Sequence, residues 1–191
     1  MPDEHPLGDR GRALEDDYFR KKDRELIDKM RQASAADAAR RELSATSGLQ
    51  DPEMLQELQA LGFTPETVVL LPLVPLVQMA WAEGGVSEAE RKLILQLART
   101  RGIEEGSVAD RQLAAWLSSR PDPQVFSSAS RLIRATLDSG ASGVVPLAAD
   151  DLVKYCEQIA AASGGMFGIN RVSSEERALL STIARDLVRK A

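Results

Sequence analysis

Four glutamates are the residues whose type and spacing come nearest to a reactive or ligand-binding site. Glu83, Glu88 and Glu90 fall within eight positions of one another, and Glu176 follows Ser173 by three. Carboxylates clustered in this way offer hard oxygen ligands to a divalent cation. Ca²⁺, however, takes six to eight oxygens and Mg²⁺ a near-octahedral set. The same spacing has a simpler use, because Glu90 stands at the N3 position behind Ser87, as Glu176 does behind Ser173. Each pair has the form of a capping box, in which serine and glutamate satisfy each other's backbone N–H groups at a helix start. The cap accounts for the spacing without a ligand. A weak cation site at Glu83, Glu88 and Glu90, with Glu176 and Asn170 on a second corner, is the alternative.

Nucleophilic chemistry has little to work with. The chain holds one cysteine, Cys156, and one histidine, His5. Cys156 lies at helical spacing from Leu152, Tyr155 and Ile159, as a small core residue does. Serine or cysteine triads need a histidine beside the nucleophile, and His/Cys metal sites need several such ligands. Gly164, Gly165 and Gly168 lack the preceding strand and following Gly-Lys-Ser/Thr of a phosphate-binding loop. No cofactor motif is present, and an enzyme acting through clustered carboxylates ranks third among the functional readings.

The elements that must position these residues are helices. Capping residues precede proline at Asp51/Pro52, Thr64/Pro65 and Asp122/Pro123, which marks helix starts because proline's missing N–H costs nothing in the first turn. Ser87/Glu90 and Ser173/Glu176 mark two more, and Ser107/Asp110 is a weaker variant. Gly62, Gly84/Gly85, Gly102, Gly140 and Gly164/Gly165 supply stops. The apolar run Val68 to Ala82 is shorter than the roughly 20 residues that span a bilayer, so it reads as a buried core helix. No stretch alternates with the two-residue period of a strand.

Residues 12 to 44 read as a long charged helix. Phe19, Leu26 and Met30 share one narrow stripe, and Asp16/Arg20, Asp17/Lys21 and Glu25/Lys29 are opposite charges four apart. Tyr18 and Phe19, large and apolar amid charge, call for a partner: the body of the protein, the preferred reading, or another chain. The run Ser44 to Leu49 is the expected joint, which divides the chain into an arm, 1–44, and a helical domain, 45–191.

Within that domain the sequence repeats. Val86 to Arg99 matches Val172 to Arg185 at seven of fourteen positions: Val86/Val172, Ser87/Ser173, Glu90/Glu176, Arg91/Arg177, Leu93/Leu179, Ala98/Ala184 and Arg99/Arg185. Ala80, Ala82, Gly84 and Gly85 match Ala160, Ala162, Gly164 and Gly165 once Met166 to Arg171 is treated as an insertion. Each unit is an apolar helix, a Gly-Gly break and a capped amphipathic helix. Neither can bury its face alone, so the two are expected to pack as pseudo-symmetric hairpins in an all-α bundle of eight to nine helices, arm included. Met166 and Phe167, in the inserted loop, join Tyr18, Phe19, Leu26 and Met30 as candidate contact residues for a protein partner.

These hairpins carry a family resemblance. Ala80-Trp81-Ala82-Glu83-Gly84-Gly85-Val86-Ser87-Glu88-Ala89-Glu90-Arg91 resembles the tellurite-resistance TerB-like helical domains. So does the second-unit string Ala162-Ser163-Gly164-Gly165-Met166-Phe167-Gly168 followed by Val172-Ser173-Ser174-Glu175-Glu176-Arg177. The likeness covers roughly residues 50 to 190. It implies an all-helical bundle with internal pseudo-symmetry, acting as a stress-linked, cytoplasmic or membrane-proximal interaction or sensing module without enzymatic activity. It also implies a cation-binding region, where Glu83 stands in place of the usual Asp, Gly85 in place of a second acid, and Glu90 keeps the downstream acid. In the second unit Ser163 replaces the first acid and Glu176 keeps the last.

Composition narrows the partners. A net charge of −5 and 4% aromatic residues give neither a basic field for a phosphate backbone nor platforms for bases, so nucleic acid is not an expected partner. A lone cysteine and a charged beginning without an apolar signal run point to the cytoplasm, with no transmembrane segment. The expectation is a non-enzymatic protein-interaction module, possessing no cofactor beyond a weakly held divalent cation.

Overall fold

The computed structural model describes residues 6–138, 149–162 and 173–188, with side chains described over 18–136, 150–162 and 173–187. Among them are eight α-helices and no strand: α1 (Pro6–Ser47), α2 (Pro52–Ala60), α3 (Val74–Ala80), α4 (Glu88–Thr100), α5 (Val108–Ser118), α6 (Pro123–Asp138), α7 (Ala149–Ala162) and α8 (Ser174–Val188). A 3-10 segment, Val68–Leu73, precedes α3. None of the described helices is long and apolar enough to cross a membrane. The chain divides into two units, Met1–Arg41 and Glu42–Ala191.

The first unit is the greater part of α1. Its described side chains through Ala38 are exposed, including Tyr18, Phe19, Leu26, Ile27 and Met30. Glu25 pairs with Lys22 rather than with Lys29, at 3.7 Å, and Asp28 pairs with Arg31 at 3.8 Å. The i,i+3 and i,i+4 positions are equally near on a helix, and exposed rotamers choose between them at almost no cost. Asp16 and Asp17 have side chains outside those described. The expected joint, Ser44 to Leu49, takes in the end of the helix at Ser47 and the turn at Gly48, while the boundary between units comes earlier, after Arg41. Leu43 and Ser47 are buried in the second unit. Gly48, at φ 74°, ends α1 by sending its N–H to the Ser44 carbonyl at 2.8 Å.

The second unit is a helical bundle around α3. The run read as one helix from Val68 to Ala82 is split into the 3-10 segment and α3. Pro75 has no N–H to give the Leu71 carbonyl, and its ring would clash there, so an α-helix can begin only at Val74. Leu70, Leu71, Leu73, Val74, Leu76 and Val77 are wholly buried, as expected of a segment apolar on every side. Around it α3 packs on α6, α7, α8 and α4, while α7 packs on α8 and α4, and α6 on α8. The two sequence-related helix pairs, α3–α4 and α7–α8, therefore lie against each other.

Most marked starts form as read. Asp51 and Asp122 accept N–H groups from Glu53 and Gln124 at 2.9 and 2.8 Å. Thr64/Pro65 does not open an α-helix. The Thr64 N–H goes to the Thr67 hydroxyl at 2.8 Å, and the chain makes a turn into the 3-10 segment. Gly140, Gly164, Gly165 and Gly168 lie outside the described residues.

Candidate functional site

Among the described residues, Glu90 and Glu176 are the buried acids, exposed by only 2% and 1%. Each closes a capping box. The Ser87 N–H donates to Glu90 Oε2 at 2.7 Å and the Glu90 N–H to Ser87 Oγ at 3.3 Å. The Ser173 N–H donates to Glu176 Oε2 at 2.7 Å and the Glu176 N–H to Ser173 Oγ at 3.1 Å. Burial holds the Glu90 carboxyl above its ordinary range, and the charges of Glu176 and Glu83 raise it further against the pull of its cap. Glu90 thus feels the charge of the equivalent acid in the second sequence repeat.

Glu83 lines the same shallow depression as Glu90, with Gly84, Gly85, Val86 and Ser87 between them. Glu88 does not join it. It is exposed one residue past the Ser87 cap and lines another groove with Arg91, Lys92, Leu95 and Arg99. Among the described residues no three acidic, histidine or cysteine side chains gather as cation ligands. Ser107/Asp110 is a half-box: the Asp110 N–H reaches Ser107 Oγ at 3.1 Å, while the shorter aspartate carboxylate turns to the Gly106 N–H at 2.8 Å and to Arg99 at 2.7 Å. Those hydrogen bonds hold Asp110 below its ordinary range.

Two tryptophans brace the α3–α4 corner. Trp81 Nε1 donates to the Trp116 carbonyl at 2.8 Å, and Arg91 donates to the Leu117 carbonyl at 2.7 Å, so both secure the end of α5. Trp116 is buried with its ring edge-on to Phe63, at 5.8 Å between centroids. Cys156 is fully buried, and burial pushes its thiol up to about 12, where almost no thiolate exists at neutral pH.

Four of the six apolar contact residues are described. Tyr18, Phe19, Leu26 and Met30 are all on α1, exposed by 58%, 60%, 57% and 65%. Ile27, absent from the sequence stripe, is exposed beside them at 46%. Tyr18 and Phe19 meet edge-to-face at 5.8 Å, and Lys22 sits over the Tyr18 ring. Met166 and Phe167 lie outside the described residues, as does Asn170.

Two grooves on the second unit were not expected. One, of about 210 Å³, lies between α4 and α7 and is lined by Leu93, Leu97, Tyr155 and Ile159 with Gln96 and Gln158. The other, of about 450 Å³, has an apolar floor of Val69, Ile103, Val108 and Ala109 with Glu66 and Glu104 beside it. Val108, 45% exposed, is the one large apolar side chain open to solvent among the described residues of the second unit. Its sequence signal was an apolar residue in the first position after the Ser107 cap, off the buried face of α5. No protein-family model, curated protein or solved structure matches the chain.

Proposed function

We propose that this protein is a non-enzymatic, cytoplasmic protein-interaction module whose recognition surface is the exposed face of α1. The observation that carries the reading is the run of large apolar side chains, Tyr18, Phe19, Leu26, Ile27 and Met30, left open to water on one helix. A helix presenting such anchors is the usual ligand of a hydrophobic groove. In the full-length chain, Phe19→Asp, Leu26→Asp and Met30→Asp together should abolish capture of protein partners from a cytosolic extract. An unchanged set of partners would sink the reading.

The resemblance to TerB-like domains extends the proposal to a stress-linked sensing role, with α3–α4 and α7–α8 as pseudo-symmetric hairpins. Its support is the quoted strings and the packing of α3 on α7 and α8 and of α4 on α7. The cation reading has less behind it, because Glu90 and Glu176 each spend an oxygen on a cap. Calorimetric titration with Ca²⁺, Mg²⁺ and Mn²⁺ tests it, with Glu90→Gln as the control. Absence of heat at millimolar cation removes it.

A further inference from the structure

Val108 is exposed and Val69 half-buried, so the groove at the start of α5 keeps apolar surface in contact with water. Its fixed charge has one sign. Residues 62–69 and 102–109, the two segments that build it, contain Glu66, Glu104 and Glu105 and no Lys or Arg. All three glutamates are exposed. The Thr64 hydroxyl donates to Glu66 Oε2 at 2.6 Å and holds that carboxyl below its ordinary range, ionised at neutral pH. The neighbouring bases have partners of their own. Arg99 donates to the Ile103 carbonyl at 2.9 Å and to Asp110 at 2.7 Å, Arg111 donates to the Gly106 carbonyl, and Arg101 is half-buried. The first turn of α5, an end that favours an anion, already has the Ser107 hydroxyl and the Asp110 carboxylate beside it.

We propose that this groove is a second docking site, which takes a short segment of another protein that sets an aliphatic or aromatic side chain between Lys or Arg residues. The apolar side chain covers Val108 and Val69, and the bases meet Glu66 and Glu104. An acidic segment meets like charge there and is rejected. A second copy of this chain is poorly matched. Residues 42–191 hold fourteen Lys or Arg against nineteen Asp or Glu, and residues 1–41 hold ten against ten, so neither part brings an excess of base. On α1, moreover, Asp23 stands among Phe19, Leu26, Ile27 and Met30, at helical spacing from each. The site goes beyond the reading of α1 and stands or falls without it.

Fluorescence anisotropy with three labelled peptides tests the proposal, each an alanine-based helix with the same leucine stripe, bordered by Lys, Gln or Glu. They are titrated with the full-length chain carrying Phe19→Asp, Leu26→Asp and Met30→Asp, so that α1 offers no apolar face and its role does not enter the result. The Lys peptide should bind about tenfold or more tighter than the Glu peptide, with a gap that narrows as salt is raised. Adding Val108→Ser should weaken all three by about threefold or more, because apolar cover is lost. Glu66→Lys with Glu104→Lys should reverse the order of the peptides. All three positions are exposed, and circular dichroism verifies the fold of each variant. A Lys peptide that does not bind at millimolar concentration, an order unmoved by the two charge reversals, or binding indifferent to Val108→Ser overturns the site. Self-association of the unmodified chain in light scattering that is lost with Val108→Ser gives the groove to a second copy and overturns the foreign occupant.

Discussion

Glu90 shows how one side chain can satisfy a helix and strain against its surroundings. Its carboxylate closes the α4 cap while burial and the charges of Glu176 and Glu83 raise its pKa. A carboxyl whose folded pKa is raised adds stability while protonated, and that contribution disappears as pH climbs through the folded value. Glu90→Gln keeps an acceptor for the Ser87 N–H and removes the charge, so it should match or exceed the parent in stability at pH 7. Its advantage should shrink as pH falls toward the ordinary carboxylate range. Glu90→Ala, which leaves the Ser87 N–H unanswered, should cost about 1–2 kcal/mol. Denaturant titrations of the three proteins between mildly acid and neutral pH would show this, and a Gln variant less stable than the parent at pH 7 would contradict it. At Cys156 a thiol held near 12 in a sealed core should resist thiol reagents at pH 8, labelling only as fast as the chain opens. Labelling within seconds of mixing would place it nearer the surface.

Helix ends were the most legible elements, because caps and stops are local chemistry. Asp51, Ser87, Asp122 and Ser173 satisfy N–H groups within three residues of themselves, and no distant contact is needed to choose them. Gly102 ends α4 at φ 78°, where the Ile103 N–H returns to the Ala98 carbonyl at 3.0 Å. A Cβ there would meet no atom within 4 Å. Gly102→Ala should therefore cost the backbone penalty alone, about 1 kcal/mol, read as a lower unfolding midpoint with unchanged m-value. A loss of several kcal/mol would mean hidden crowding. What escaped local reading was Thr64/Pro65, which has every mark of a cap but leads into a segment with Pro72 and Pro75, where no α-helix can propagate past them. The end of α1 escaped as well. Ser44 to Gly48 carries turn-forming residues, yet burial of Leu43 and Ser47 keeps the helix intact to its last turn.

For the whole molecule, stability should reside in residues 42–191, since the described apolar side chains of the arm bury almost nothing. Phe19→Ser with Met30→Ser should leave the monomer's unfolding free energy within about 0.5 kcal/mol at low protein concentration. Leu71→Ala or Leu76→Ala, at fully buried positions beside the proline break, should cost about 2–5 kcal/mol. Thermal or denaturant melts compare the two classes, and an arm variant as damaging as a core one would refute the division. By itself the sequence determined that this protein is built of helices, where most of them begin, and that α3–α4 and α7–α8 share one pattern. Those properties follow from side-chain periodicity and from hydrogen bonds spanning three or four residues. Only the tertiary structure decided that the two pairs lie against each other, that Glu90 feels Glu176, and that Val69, Ile103 and Val108 meet in one acid-rimmed groove. Each of those facts joins residues dozens of positions apart, and such neighbours are chosen by the collective burial of apolar faces, a quantity no local spacing encodes.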